Sequence, residues 1–257
     1  MGAGGSSIHD RGPGMRIRLR YRKLGKVRFT SHRDVARCWE RAFRISGLPI
    51  ASTEGFSPRP KMHFGLALST SHESLGEYLD LDLRDPESAE VDLGQLPAML
   101  SAHLPDGIDV EAVAIIDRSE PSLQESVTSC TWQIEVPGVT TEELTEAVAR
   151  VLAAPTLPVV RERKGRPVSD DLRPGILHLD VHGATPSDPP SAGAVLSAEL
   201  ATQPRSVRPS ELMAVFDPPL AEGRVRRIHQ YIVENGATRE PLPPGAPSMV
   251  LTTVSAT

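Results

Sequence analysis

Cysteine is scarce in this 257-residue sequence, which contains only Cys38 and Cys130. Two cysteines so far apart cannot supply a disulfide framework, a zinc knuckle or the thiolates that hold an iron–sulfur cluster. The sequence also lacks the run of about 18 apolar residues that a membrane helix needs. Residues 1–14 are rich in Gly and Ser and have no apolar stretch. These absences favour a cytoplasmic protein that neither spans a membrane nor is secreted.

The motifs of common enzyme classes are missing as well. There is no G-x-S-x-G, no H-E-x-x-H, no P-loop and no dinucleotide-binding motif. The residues therefore predict neither a metal site nor a cofactor in this chain. His32 is the one catalytic candidate, since a histidine beside Ser31 at a helix start could act as a general acid or base in RNA cleavage. A role in the first helical turn is the simpler interpretation.

Aromatic residues are few, at 4% of the sequence. The candidates for stacking on nucleic-acid bases are Tyr21, Phe29, Phe56 and Phe64. So small a set gives weak support to sequence-specific reading of single strands.

What the sequence does have is a strong segregation of charge. Residues 1–64 hold 14 Lys and Arg against four acids, whereas residues 65–130 hold two arginines against 14 acids. A basic segment of this kind attracts polyanions, although the net charge of the chain is −5. The alternative is that the two segments neutralise each other across one fold.

A strand is predicted over Met15–Arg22, where apolar residues alternate with arginine. The arginine face would present guanidinium groups about 6.8 Å apart, near the spacing of phosphates along a nucleic-acid strand. We expect this face to be open to solvent. Asp80 and Asp82, on a strand predicted to lie beside it, could instead pair with the arginines.

Ser31 and Asp34 predict the N-cap of a helix over His32–Ser46, which Gly47 ends. A stripe of arginines runs along this helix, and the loop Gly55–Lys61 is stiffened by two prolines. The predicted binding residues of the strand, helix, loop and following hairpin are Arg16, Arg18, Arg20, Arg22, Lys26, Arg28, Ser31, His32, Arg33, Arg37, Ser57, Arg59, Lys61 and Glu77.

The element order predicts an α+β fold made of two ferredoxin-like halves in tandem, each with an antiparallel sheet and helices on one face. The first half, residues 15–117, has the order β-α-β-β-α-β. After a linker at 118–130, residues 131–235 repeat this order with one extra strand. In this second half a hairpin is predicted across Lys164–Arg166, pairing Val159–Arg163 with Gly175–Val181. Residues 1–14 and the Pro-rich tail at 236–257 are predicted to be disordered.

Several motifs together resemble one known family. They are Phe29–Asp34, Arg41-Ala42, Gly47–Pro49, Gly55–Lys61, Phe64–Leu68, Glu73-Ser74 and Gly76–Asp80. This string, within residues 15–85, closely resembles the radical-SAM-linked family, a domain of unknown function fused to, or separate from, cobalamin-type radical SAM proteins. The second half matches more loosely.

The resemblance implies an accessory to a radical SAM protein, here a separate chain of actinobacterial type. SAM, the iron–sulfur cluster and cobalamin would then reside on that partner. The leading hypothesis is a non-catalytic module that presents RNA, or an RNA-associated substrate, for modification. In that case Arg18→Glu/Arg20→Glu should weaken RNA binding. The alternatives are a metal-independent endoribonuclease using His32, or a protein-docking module without RNA contact.

Overall fold

The computed structural model describes residues 13–85, 87–163, 165–183, 193–234, 236–243 and 246. It shows a mixed α+β architecture with a large, mostly antiparallel sheet and few helices. Across these ranges, every helix is too short or too polar to cross a lipid bilayer.

The strands and helices are bounded as follows. The strands are β1 (Pro13–Lys23), β2 (Met62–Phe64), β3 (Glu73–Arg84), β4 (Ile108–Ile116), β5 (Ser129–Pro137), β6 (Pro158–Arg163), β7 (Arg166–Asp171), β8 (Ile176–His182), β9 (Gly193–Ala201), β10 (Val225–Glu234) and β11 (Ala237–Arg239). The α-helices are α1 (His32–Ser46), α2 (Leu96–Ser101), α3 (Leu123–Ser126), α4 (Thr141–Ala153) and α5 (Pro209–Ala214).

One continuous sheet joins the two halves of the chain. Its strand order is β4-β1-β3-β10-β5-β9-β8, with β2 added to β3 and β11 added to β10. Every pairing is antiparallel except that of β3 with β10, which is parallel and limited to Glu73 with Arg226 and Ser74 with Arg227. The strands β2 and β10 therefore occupy different stretches of the same edge of β3.

In the first half, the alternation of β1 separates an apolar face from an arginine face. Ile17, Leu19 and Tyr21 are buried in a core that also contains Trp39 of α1 and Leu100 of α2. The predicted start and end of α1 are confirmed. Ser31 accepts a hydrogen bond from the Asp34 amide, and Gly47 ends the helix with φ +66°.

In the second half, α4 and α5 pack on the apolar side of β5 and β9. The hairpin predicted between Val159–Arg163 and Gly175–Val181 is wrong. The strand β6 pairs instead with β7 in a separate two-stranded sheet, and β8 pairs with β9. The strand β7 therefore lies between β6 and β8 in the chain, and the 3₁₀ turn Arg173–Gly175 separates it from β8.

The chain returns to the first half after β10. In the segment from residue 236, where composition predicts disorder, Ala237–Arg239 form β11 on the edge of β10. Residues 237–243, named the C-terminal strap below, then contact the arginine face of β1. Residues 1–12 and 247–257, for which disorder is also predicted, lie outside the described residues.

Candidate nucleic-acid interface

The arginine row of β1, defined as Arg16, Arg18, Arg20 and Arg22, is not open to solvent as expected. In the antiparallel register with β3, Arg16 lies opposite Asp82 and Arg18 opposite Asp80. Arg18 donates two hydrogen bonds to Asp80 at 2.7 and 2.9 Å, and its side chain is 1% exposed. Arg16 binds Asp82 at 2.7 Å.

The other two arginines of the row are also matched. Arg20 forms an ion pair with Glu240 of the C-terminal strap at 3.0 Å, and Arg22 forms one with Asp109 of β4 at 2.9 Å. Carboxylates of β3 and β4 thus lie on the two sides of β1, and Glu240 of the strap lies over its arginine face. The expectation of an exposed guanidinium row is therefore wrong, because carboxylates on β3, β4 and the strap neutralise it.

The strap completes this cover. The carbonyl of Pro241 accepts a hydrogen bond from Arg18 at 2.9 Å. Glu240 also contacts the imidazole of His229 at 2.7 Å. This hydrogen bond is the main reason that the pKa of Glu240 lies below its usual value, and Arg20 adds to the effect.

The ion pair between Arg16 and Asp82 shifts the pKa of both groups. The hydrogen bond to Asp82 raises the pKa of Arg16. Burial disfavours the charged form of Asp82, but the hydrogen bond and charge of Arg16, with the charge of Arg118, outweigh burial and lower the pKa of Asp82. Both partners are therefore ionised at neutral pH.

A different set of cations remains exposed. The unpaired members are Lys26, just before α1, Arg33, Arg41 and Arg44 on α1, and Arg59 in the loop before β2. They are exposed, and Lys61 at the end of that loop is half-buried. Within the described ranges none of the six forms an ion pair. They are named the exposed cation group below.

Of the remaining predicted binding residues, Arg28, Ser31, Arg37 and Glu77 have structural partners. Arg28 pairs with buried Glu73 at 3.3 Å, and Arg37 pairs with Asp34 at 3.0 Å. Ser31 caps α1, and Ser57 is an exposed loop residue. Glu77 is 6% exposed and binds Arg227 of β10 at 2.9 Å. It therefore lies at the junction of the two halves rather than on the surface.

An open cleft of about 510 Å³, named the edge cleft below, is lined by residues of β2 and by the first residue of α1. Its lining consists of Arg16, His32, His63, Phe64, Asp80, Ser122, Leu123 and Gln124. The strand β10 pairs with β3 only at Arg226 and Arg227. The opposite wall of the cleft is formed by Ser122, Leu123 and Gln124, in the segment that connects the two halves.

Histidines lie on two sides of the edge cleft. The His32 ring packs edge-on against Phe64, with centroids 4.8 Å apart, which brings the start of α1 against β2. His63 alternates with Phe64 along β2, and its Nε2 lies 4.0 Å from Asp82. Both imidazoles line the cleft, and a histidine can act as a general acid or base towards a bound phosphodiester.

Beneath His32 and Phe64 lies a small polar pocket of about 20 Å³, lined among others by Tyr21, Lys23 and Glu77. It has room for about one water molecule. Burial lowers the pKa of Lys23. Burial, followed by the charge of Glu77, raises that of Tyr21. The pocket shares His32 and Phe64 with the edge cleft, and it is too small to hold a nucleotide.

Sequence reasoning missed three contributors to this region. The sequence does not single out His63, because an isolated histidine belongs to no motif. Arg227 and Glu240 lie in the second half and the strap, 150 and 220 positions from their partners Glu77 and Arg20. No local pattern in the sequence connects residues so far apart. The four charges Glu73, Glu77, Arg226 and Arg227 are nevertheless paired across the two halves.

These features define an α+β protein whose sheet carries a histidine-lined cleft and whose described surface includes cations that form no ion pair. Residues 16–209 match the model of a bacterial family described as "Uncharacterized protein conserved in bacteria (DUF2344)". This match spans well over half of the chain, so the protein belongs to that family. No curated protein matches the chain. In the part of the chain described, no three His, Cys, Asp or Glu side chains are grouped to bind a metal ion.

Proposed function

We propose that this protein binds RNA around the edge cleft through the exposed cation group, and presents it to a separate radical SAM protein. The observation that carries the RNA part is the set of cations on α1, and in the segments before α1 and β2, that form no ion pair within the described residues. Lys26 and Arg33 flank the start of α1, and Lys61 immediately precedes β2, whose Phe64 contacts His32. Surface cations that form no ion pair with the described residues are free to bind the phosphates of a polyanion.

The chemistry of RNA fits this surface better than the chemistry of a small anion. Residues 25–64 carry eight cations and only three acids. Two of the eight cations are paired, Arg37 with Asp34 and Arg28 with Glu73, and the other six are the exposed cation group. The positive charge is spread over α1 and the loop rather than converging on one point. Such a distribution can follow a backbone of many phosphates.

The radical SAM part of the proposal depends on the family resemblance of the motifs in residues 15–85. The chain's own cysteines do not fit a cluster site. Cys38 lies on α1, whereas Cys130 is buried in β5, where burial raises the pKa of its thiol to about 11. We therefore assign SAM, the iron–sulfur cluster and cobalamin to the partner protein. A cytoplasmic location and an actinobacterial origin belong to the same proposal.

The same proposal treats the chain as two ferredoxin-like halves, at residues 15–117 and 131–235. Two strand orders support this interpretation. The first half has the order β4-β1-β3-β2, and the second has β10-β5-β9-β8, which is the same arrangement if the β6–β7 hairpin is an insertion. In this interpretation the parallel contact between β3 and β10 fuses the two sheets.

Binding can be measured by fluorescence anisotropy with a labelled RNA at several salt concentrations. We expect Lys26→Glu/Arg33→Glu to weaken binding strongly at low salt. The slope of log affinity against log salt should become shallower by about 0.7 for each lost phosphate contact to a single strand. The matched control is Arg150→Glu/Arg166→Glu, which reverses two exposed arginines in the second half.

Two results would contradict the RNA proposal. One is an equal loss of affinity in the control variant, which would indicate a dependence on net charge alone. The other is an absence of RNA binding combined with capture of the radical SAM partner after nuclease treatment. That second result would make the protein a docking module without RNA contact.

A second function, metal-independent RNA cleavage, is favoured by the placement of His32 and His63 on the same cleft. If the protein cleaves RNA, chelator-treated protein should produce fragments, and His32→Ala should abolish them. His103→Ala, outside the edge cleft, is the matched control. Intact RNA after prolonged incubation with the wild-type protein would exclude this function.

A further inference from the structure

The loop between α1 and β2 carries a fully exposed phenylalanine. Phe56 has a relative exposure of 110%, the highest of the large apolar side chains. Within the described residues its ring contacts no other aromatic ring and no cation. Phe29 differs, because it is 60% exposed and the guanidinium of Arg28 lies 4.5 Å from its ring centroid. The whole apolar area of this ring is open to solvent and would be buried by a ligand that stacks on it.

The backbone around Phe56 is held in place at the base of the loop. The Thr53 amide donates to the Arg59 carbonyl at 2.8 Å, and the Arg59 amide donates to the Thr53 hydroxyl at 3.1 Å. Next to this pair, the Lys61 amide donates to the Ala51 carbonyl at 2.7 Å. Pro58 and Pro60 restrict the loop further. The ring is therefore presented by a closed, constrained loop, which lowers the entropy lost on binding.

The flanking charges indicate the chemistry of the ligand. Arg59 is exposed without an ion pair among the described residues, and Lys61 lies two positions further on. The loop leads directly into β2, the strand that forms the edge cleft. An aromatic platform beside unpaired cations matches a nucleotide, which combines a flat base with a negatively charged phosphate.

We infer that Phe56 is a stacking platform for an unpaired RNA base, so the substrate of the edge cleft is single-stranded RNA or a single-stranded loop. This inference rests on the proposed RNA function and adds the structural class of the RNA. Bases inside a duplex already stack on their neighbours and present only their edges in the grooves. They cannot lie flat on a ring at the tip of a loop. A duplex would use the exposed cations but not Phe56.

The inference predicts a selective loss. Phe56→Ala should weaken binding of a single-stranded RNA about tenfold and leave a duplex of equal length unaffected. Phe56→Leu, which keeps an apolar side chain but removes the ring, should behave like the alanine variant, whereas Phe56→Tyr should keep wild-type affinity. Leu177→Ala, at an exposed apolar position on β8, is the matched control and should change neither affinity.

A spectroscopic test reports on stacking directly. Both native tryptophans, Trp39 and Trp132, are buried at 0% and 6% exposure. Phe56→Trp would therefore add the one strongly exposed indole within the described residues, and stacking of a base on it should quench its fluorescence. We expect quenching by single-stranded RNA and little change with the duplex.

The outcomes separate the inference from the proposed function. If Phe56→Ala leaves single-strand affinity unchanged while Lys26→Glu/Arg33→Glu weakens it, the stacking role is overturned and RNA binding stands. If the wild-type protein binds neither RNA, both are overturned. If Phe56→Ala instead abolishes a nuclease-resistant protein complex without changing RNA affinity, the ring is a protein contact and the inference is wrong.

Discussion

The arginine row of β1 and the exposed cation group are similar in sequence and opposite in structure. Both belong to the basic first quarter of the chain. Arg18 is completely buried and bound to Asp80, the Pro241 carbonyl and, at 3.5 Å, Glu120. Arg33, only 15 positions later, is exposed and has no ion pair within the described residues. The same residue type therefore stabilises the fold at one position and is available to a ligand at the other.

The difference follows from the secondary structure that holds each cation. A residue on an inner strand lies directly opposite residues on both neighbouring strands, and here β3 and β4 supply acids to Arg16, Arg18 and Arg22. A residue on the outer face of a helix has neighbours only three or four positions away on that helix. A high density of arginine in the sequence thus predicts positive charge, but it does not predict whether that charge is free to bind a ligand.

The largest effect is expected from breaking the buried row. Arg18→Met leaves Asp80 buried without its partner, which should lower the free energy of unfolding by about 3–5 kcal/mol. Urea denaturation followed by circular dichroism measures this change. Arg18→Met/Asp80→Leu removes both charges and should recover much of the loss. A single variant as stable as the wild type would show that the pair is dispensable.

The junction between the halves should be the next most sensitive region. Glu77→Gln removes the carboxylate bound to Arg227, which is 2% exposed. Arg227 keeps its bonds to the Leu66 and Ala67 carbonyls and its contact with the Trp132 ring, 4.8 Å away. We therefore expect a smaller loss, about 2 kcal/mol. The matched control Glu234→Gln changes an exposed carboxylate on β10, the strand that carries Arg227, and should have little effect on urea unfolding.

Lowering the pH should weaken the ion pairs of the buried carboxylates Glu73 and Asp82, whereas the exposed Lys and Arg side chains stay charged. Burial opposes ionisation of Glu73 and Asp82, but hydrogen bonds from Arg226 and Arg16 lower both pKa values. A lowered folded pKa stabilises the protein above the unfolded value, and this contribution is lost as pH falls through the folded value. Stability should therefore decline below about pH 4, with a shallower decline in Asp82→Asn. If the stability of the wild type and of Asp82→Asn declined equally steeply below about pH 4, this assignment would be contradicted.

The smallest effect on stability is expected at the exposed cation group. Arg44→Ala should change the free energy of unfolding by no more than about 0.5 kcal/mol, because the side chain is exposed and forms no ion pair in the described part of the chain. The same urea titration measures it. A loss as large as that of Arg18→Met would remove the distinction between the two sets of cations.

The sequence predicts the local parts of this arrangement well. The alternation in Met15–Arg22 identifies β1, and the Ser31 cap with Gly47 bounds α1. Even the competing interpretation, that Asp80 and Asp82 meet the arginines, follows from period-two patterning on neighbouring strands. What local patterning could not decide was whether that pairing or an open face would prevail, since this depends on register and on what covers the sheet.

The long-range parts could not be predicted in this way. The strap brings Glu240 onto Arg20 from 220 positions away, and β10 joins β3 through only two residue pairs. The β6–β7 hairpin was also missed, because an exposed strand pair with mixed polarity has no strong hydrophobic period. Long-range contacts therefore decide the place of the strap and of β10, whereas the β6–β7 hairpin is a local pairing.

The most direct measurement is photo-crosslinking of the wild-type protein to a single-stranded RNA containing 4-thiouridine, with the crosslinked peptides identified by mass spectrometry. We predict crosslinks within residues 26–64, at the start of α1, the Phe56 loop and β2. Crosslinks confined to β1, or to the second half at residues 131–234, would contradict the assignment of the RNA surface to the exposed cation group.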